Sequence, residues 1–307
     1  MSKGRLIQNP AIEKGRSTAE RVTLVHRGIS TIVQKGKRAF QILQIVRNFP
    51  SVYGRLILGL PLQRLLLRNG VVIKSGKGVD LWRNFHDIWI HQIYTDPLHP
   101  IRSGAIVIDV GASIGLFSLL AASQDANVLV YEPDPEVFQI LLENIRMNPA
   151  TQIRARQCAL GSRNETRVLY RFGESTGNSF FFRPGKEPSL SAPEATVECF
   201  SLAEIFEIDS IGHCDLMKMN CEGAEFEILL GTPRTLFERI QAIVFECHDR
   251  LTPYPCDDLV CFLENMGYRV RISLQRQDGT ALFWARQDGS RESSGDLSEE
   301  DTEPGVR

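Results

Sequence analysis

The chain of 307 residues has room for one large domain with attachments, or at most two, and ample length to bury a core. At 43% hydrophobic and 23% charged it has the composition of an ordinary globular protein, which excludes a wholly disordered chain. The formal net charge of -2 predicts no nucleic acid or other polyanion as partner of the whole molecule, but residues 1–70 hold thirteen Lys and Arg against Glu13 and Glu20, a net of +11.

Residues 1–21 are polar and aperiodic, a mobile arm without the apolar core of a secretory signal. From Val22 to Phe49 apolar residues recur at helical spacing with Lys and Arg between them, which predicts basic amphipathic helices. Leu56 to Arg68 is apolar and basic together, broken at Pro61, and ends on the turn signal Asn69-Gly70. Residues 1–69 therefore read as a basic, partly helical extension. Two roles stay open for it: a helical cap on the rest of the protein, or a peripheral membrane contact through residues 22–68. The longest uncharged stretch, Val110 to Gln124, is shorter than the roughly 18 to 20 residues that span a bilayer. A cytoplasmic protein is expected, with or without contact at the inner membrane face. Seven cysteines with no Cys-x-x-Cys pair predict reduced, buried thiols and no metal site.

From Gly70 the texture changes. Strand-like runs at 105–110, 128–132, 153–159, 215–220 and 242–247 alternate with helical segments at 114–123, 135–148, 222–230 and 257–266. Strands joined by such helices predict right-handed βαβ units and a doubly wound α/β sheet. The runs 268–272 and 281–285 predict an antiparallel pair at one edge. Between Arg167 and Phe200 glycines and prolines mark an inserted hairpin and loop, with Phe180-Phe181-Phe182 as its core contact. The domain is expected to occupy 70–286, and 287–307 to be an acidic disordered tail.

The chemistry begins at Val107-Ile108-Asp109-Val110-Gly111-Ala112-Ser113-Ile114-Gly115. An apolar strand ends near an acid, turns at one glycine and enters a helix past a second, which is how a doubly wound sheet builds a ligand crevice at its carboxyl edge. Gly111 removes the Cβ where ligand and backbone would approach. The spacing Gly111-x-x-x-Gly115 lacks the pyrophosphate fingerprint, so a dinucleotide is disfavoured. The next strand ends in Glu132-Pro133-Asp134, placing the Glu132 carboxylate to accept ribose hydroxyls. An adenosine site without a pyrophosphate loop suits S-adenosyl-L-methionine.

Asp-Val-Gly-Ala-Ser-Ile-Gly (109–115), Tyr-Glu-Pro-Asp-Pro-Glu (131–136), Glu-Asn-Ile-Arg-Met-Asn (143–148), Cys-Ala-Leu-Gly-Ser (158–162), Lys-Met-Asn-Cys-Glu-Gly-Ala-Glu (218–225) and Val-Phe-Glu-Cys-His (244–248) stand in order along the chain. Together they resemble the motif set of the FkbM family of S-adenosylmethionine-dependent methyltransferases, over roughly residues 70 to 285. The resemblance implies a Rossmann-like methyltransferase fold with a mostly parallel seven-stranded sheet. It implies O-methylation of a glycan, glycolipid or polyketide-like acceptor. Asp109, Gly111 and Gly115 would then line the methionine end, Glu132 the ribose, and Ala159 and Leu160 the adenine, with Ala112, Ser113 and Pro133 also on the cofactor side. Asn220 also falls on the cofactor side, but the family usually has Asp there, and an amide is neither base nor anion. For catalysis the candidates are His248, Glu222 and Asn220: His248 closes a strand at the same edge and titrates in the right range for a base. His248 could equally be a strand-end histidine bonded to a loop, and Glu222 a first-turn acid on its helix. His86 and His91, beside Trp82 and Trp89, read as packing. The alternatives are an N-methyltransferase with the same cofactor and a catalytically silent, membrane-attached adaptor.

Overall fold

The computed structural model describes residues 40–76, 78–170, 195–248, 251–252, 254–276 and 280–287. The expected arm over 1–21, the helix before residue 40, Phe180-Phe181-Phe182 and the tail beyond Gln287 lie outside them. Helix α1 (Phe49–Ile57) takes Pro50 in its first turn, where a missing N–H is harmless. It leads into the antiparallel hairpin of β1 (Arg64–Leu66) and β2 (Val72–Lys74). Asn69-Gly70, expected to close off an extension, is the bend of this hairpin. Gly70 has φ 92° and Asn69 Oδ1 accepts from Val71 N–H at 3.2 Å. The expected boundary at residue 69 therefore cuts one unit, because the local turn signal marks a hairpin equally well.

Helix α2 (Leu81–Phe85) runs into a single wide turn at His86–Ile90. Trp89 is buried and donates to the Leu116 carbonyl at 3.1 Å, and His86 meets the Trp82 ring edge-on, in keeping with packing. The βαβ rhythm follows: β3 (Ile106–Val110), α3 (Leu116–Ala122), β4 (Asn127–Tyr131), α4 (Pro135–Arg146) and β5 (Gln152–Arg156). Asp134 caps α4, accepting from Glu136 N–H at 2.8 Å, with Pro135 set in the first turn. Asn144 on the same helix and Asn148 just past its end bond the backbone of Lys74 and Val72, tying the hairpin to the domain.

The run 153–159, expected as one strand, is two. β5 stops at Arg156, Cys158 N–H turns back to the Arg156 carbonyl, and β6 (Ala159–Gly161) joins a separate sheet with β7 (Glu165–Leu169) and β8 (Ala195–Ser201) in the order β6-β8-β7. After α5 (Leu202–Ile208) come β9 (Leu216–Met219), α6 (Glu225–Leu230), α7 (Arg234–Phe237), β10 (Ala242–Cys247), α8 (Cys256–Asn265), β11 (Tyr268–Gln275) and β12 (Ala281–Gln287). The main sheet has the order β11-β12-β10-β9-β3-β4-β5. Its last five strands are parallel, while β12 runs antiparallel to both neighbours. This is the Rossmann-like methyltransferase sheet with the expected antiparallel edge.

Burial on both faces explains the unbroken apolar strands. Ile108, Val110, Leu129, Met217 and Phe245 enter one core, and their neighbours Val107, Val128, Val130, Leu216 and Val244 another. A third core joins Ile42, Val46, Val52, Leu62, Leu65 and Leu67 to Ile114, Leu116, Leu119 and Leu120 on the third helix's segment. The described part of the basic segment thus packs part of its apolar surface on the protein itself, while Phe40, Leu43, Tyr53, Ile57, Leu58 and Leu60 stay exposed. Among the described residues no helix is long and apolar enough to cross a membrane.

One cysteine expectation fails. Cys247 and Cys256 form a disulfide, their Cα atoms 6.0 Å apart. The end of β10 and the start of α8 meet in space, a proximity that sequence spacing does not disclose. Cys158, Cys199 and Cys214 are free and buried as expected, and Cys261 is exposed.

Candidate active site

Parallel pairing brings the carboxyl ends of β3, β4, β9 and β10 to one edge. There Asp109 is fully buried. Its Oδ1 pairs with Lys218 Nζ at 2.9 Å and its Oδ2 accepts from Ser118 Oγ at 2.6 Å. Lys218 also donates to the Gly111 carbonyl at 2.9 Å and lies over the Tyr94 ring. Asp109 therefore holds the turn through Lys218. The sequence motif gives Lys218 no role of its own, although a lone charge in Leu-Met-Lys-Met is its signal.

Gly111 has φ 68°, and a Cβ there would stand 2.1 Å from the Asn220 carbonyl oxygen. The close approach expected from a ligand is made by the neighbouring loop of the protein. Gly115 likewise has φ 86°, with Leu141 Cδ1 where its Cβ would reach. Ala112 is buried and its N–H, with that of Gly111, bonds the Tyr131 carbonyl. Ser113, at φ 53°, donates its N–H to Glu132 Oε2 at 2.8 Å, and Asp134 N–H donates to Glu132 Oε1 at 2.9 Å. Pro133 stands between them, half-buried. Burial pushes the Glu132 carboxyl up to about 7, against the pull of those two N–H groups. Ala159 and Leu160 lie in β6, paired with β8, and their side chains fill apolar clusters, so neither side chain is free to flank an adenine.

Beyond β9, Asn220 Nδ2 donates to Tyr94 Oη at 3.3 Å, while its Oδ1 is buried and has no hydrogen-bond donor among the described residues. Tyr94 Oη donates to Glu246 Oε1 at 2.8 Å, and Arg276 Nη2 reaches the same oxygen at 3.2 Å and Asp87 Oδ2 at 3.6 Å. His248 Nδ1 lies 3.1 Å from Glu225 Oε1, and its Nε2 lies 3.9 Å from Glu246 Oε2. Burial disfavours the charged ring, but Glu225, Glu222 and Glu246 outweigh it and push the imidazole up to about 9. Glu222 does not open the helix as expected. It sits in the preceding turn at φ 53°, and Glu225 is the first-turn acid. Tyr94, Glu225, Glu246 and Arg276 were not singled out from the sequence. They arrive from four separate segments, and only Glu225 and Glu246 carried a signal, lying inside the quoted motifs. Such an edge can hold a nucleoside ribose on one side and move a proton on the other.

The family model described as "Methyltransferase FkbM domain" matches residues 109–270. Methyltransferase sdnD of Sordaria araneosa is 28% identical over 210 residues, 58% of this chain and 80% of that protein. Hexuronic acid methyltransferase AglP of Haloferax volcanii is 27% identical over 192 residues, 59% of this chain and 71% of that protein. The 31-O-demethyl-FK506 methyltransferase FkbM of Streptomyces tacrolimicus is 24% identical over 236 residues, 68% and 89% of the two chains. Among solved structures, Methyltransferase FkbM from Methylobacillus flagellatus KT aligns with a TM-score of 0.43 at 17% identity, covering 66% of this chain and 52% of that one.

Proposed function

Since the chain belongs to the FkbM methyltransferase family, we propose that it uses S-adenosylmethionine to methylate a hydroxyl of a glycan, glycolipid or polyketide-like acceptor. The observation that carries the cofactor reading is Asn220 Oδ1, a buried acceptor lacking a donor among the described residues, between the Gly111 turn and Tyr94. Unmet acceptors of this kind are costly, and the ammonium of a methionine moiety would satisfy it. Glu132 fits the ribose: each oxygen accepts one backbone N–H and keeps a lone pair for a hydroxyl. When bound, the cofactor supplies an electrophilic methyl group on a positively charged sulfur.

The chain's own residues do the rest. Asp109, Lys218 and Ser118 fix the turn that faces the cofactor. Positioning the acceptor in line supplies much of the acceleration. The neutral fraction of His248 takes the hydroxyl proton on Nε2, leaving the acceptor oxygen as a nucleophile. Glu222 and Asn220 border the same space, and Asn220 lends an amide where an Asp is usual. The names of the AglP and FkbM relatives, a hexuronic acid and a 31-O-demethyl-FK506 methyltransferase, support an oxygen acceptor.

Calorimetry with S-adenosylhomocysteine tests the cofactor. The wild type should bind it, and Glu132→Ala should weaken binding by more than about 1 kcal/mol, since a hydrogen bond to a charged group contributes roughly 1.5 to 3. Binding of NAD with indifference to S-adenosylhomocysteine would overturn the assignment. Cofactor turnover with hydroxyl acceptors, and not with amines, is the expected activity. The reverse preference would make the protein an N-methyltransferase, and no turnover with either would favour a silent adaptor.

A further inference from the structure

Glu225 is fully buried, yet its carboxylate makes three contacts with two different walls of the site. Oε1 accepts from Cys221 N–H at 2.7 Å and lies 3.1 Å from His248 Nδ1, while Oε2 accepts from Gly223 N–H at 2.9 Å. The two N–H groups belong to the turn that carries Asn220 and Glu222. That turn is conformationally expensive, with Glu222 at φ 53° and Gly223 at φ 105°, and it persists only if its surroundings determine it. The histidine belongs to the end of the adjacent strand β10. One side chain therefore fastens the cofactor-side turn to the ring.

We infer that Glu225 is a positioning residue: it fixes the Asn220–Glu222 turn and holds His248 with the proton on Nδ1, leaving Nε2 to exchange a proton with the acceptor. The inference rests on His248 as the acid–base group of the proposed reaction. With two backbone N–H groups aimed at it, the carboxylate presents acceptor oxygens to the ring, which selects the Nδ1–H tautomer. Among the described residues, the other carboxylates acting on the ring are Glu246 on β10, at 3.9 Å from Nε2, and Glu222 on the turn. Tyr94 Oη and Arg276 draw on Glu246 through Oε1, and its Oε2 lies beyond hydrogen-bond reach of Nε2, so it is the weaker claimant on the imidazole. A carboxylate that acted only as a helix-end acid would need neither the second turn contact nor the histidine.

Nitrogen NMR of the full chain, labelled at its six histidines and assigned with His248→Gln, reads the ring directly. In the wild type the neutral ring of His248 should be the Nδ1–H tautomer and titrate near 9. In Glu225→Gln the titration should fall toward the ordinary 6.5. The rising limb of kcat/KM should shift down with it, and plateau kcat should drop at least roughly tenfold as the ring loses orientation. Loss of folded protein alone would lower activity without moving that limb. A wild-type Nε2–H tautomer, or a folded Glu225→Gln whose ring still titrates near 9, would overturn the proposal. If Glu225→Gln does not fold, the wild-type tautomer decides by itself. Full kcat in His248→Ala would overturn the catalytic reading of the ring, a failure distinct from that of the tautomer and titration, which report on Glu225.

Discussion

A cation inside a parallel sheet survives only when paired, and Lys218 is paired with the equally buried Asp109. Removing either partner strands the other charge, so these two residues set the shape of the Gly111 turn before any ligand arrives. The turn itself makes a sharper test. With φ 68° and the Asn220 carbonyl in the path of any Cβ, Gly111→Ala must both strain the backbone and push the β9 turn away. We expect it to lower unfolding stability by at least about 1 to 2 kcal/mol with no cofactor present. Denaturant unfolding of the apo protein measures it, and an effect seen only on cofactor affinity would restore the ligand as the reason for the glycine. His248 makes a second. His248→Ala should lower kcat roughly 10²- to 10⁴-fold with cofactor affinity nearly unchanged. In the wild type kcat/KM should climb through pH 9, where the ring becomes neutral, and not level off near 6.5. Stability runs the other way. A folded-state pKa above the unfolded one contributes in full below about 6.5 and is lost as pH rises through about 9, so activity and stability should diverge across that window.

At the scale of elements, the candidate site lies where β-strands end, and what anchors those ends differs from strand to strand. β4 ends on Glu132 and the capped start of α4, whereas β10 ends on the disulfide from Cys247 to Cys256. Cys247 lies between Glu246 and His248, so the bridge steadies two site residues against the start of α8. Titration of the unfolded, unreduced protein should find five reactive thiols of the seven cysteines, and seven would refute the bridge. Cys256→Ser should lower the stability of the oxidised protein by roughly 2 to 4 kcal/mol, and the difference should vanish in reductant. The elements were legible in the sequence because strands buried on both faces read as unbroken apolar runs and helices keep their period. The strand-end positions of Asp109 and Glu132 were legible because strand ends in this topology border the crevice, whereas the pairing of Asp109 with Lys218 was not. Tyr94, Glu225 and Arg276 were not, since their meeting depends on tertiary placement of a wide helical turn, a helix start and an edge strand. The disulfide was hidden for the same reason. The boundary at Gly70 was misplaced because a turn signal does not say whether the chain leaves a unit or doubles back within it.

At the scale of the whole molecule, the hairpin of β1 and β2 and the segment before it belong to the same body as the candidate site. Leu65 and Leu67 are buried against the side of the domain from which Ile114, Leu116 and Leu119 emerge, and Gly115, between the first two, follows the turn that bonds Glu132. Asn144 extends the link by accepting from Lys74 N–H and donating to the Ile114 carbonyl. Starting the chain at Gly70 would remove β1 and the buried Ile42, Val46, Val52, Leu62, Leu65 and Leu67. At roughly 1.5 to 3 kcal/mol for each fully buried aliphatic side chain, the loss is on the order of 10 kcal/mol, as large as the whole stability of a typical domain. We therefore expect the truncated chain to lose cooperative unfolding and near-ultraviolet dichroism together with S-adenosylhomocysteine binding. Leu65→Ala in the full chain should cost about 2 to 5 kcal/mol and leave binding intact at low temperature. A truncated chain that unfolds cooperatively at the wild-type temperature would show instead that the basic segment is an attachment, and that its apolar stripe is free for another surface.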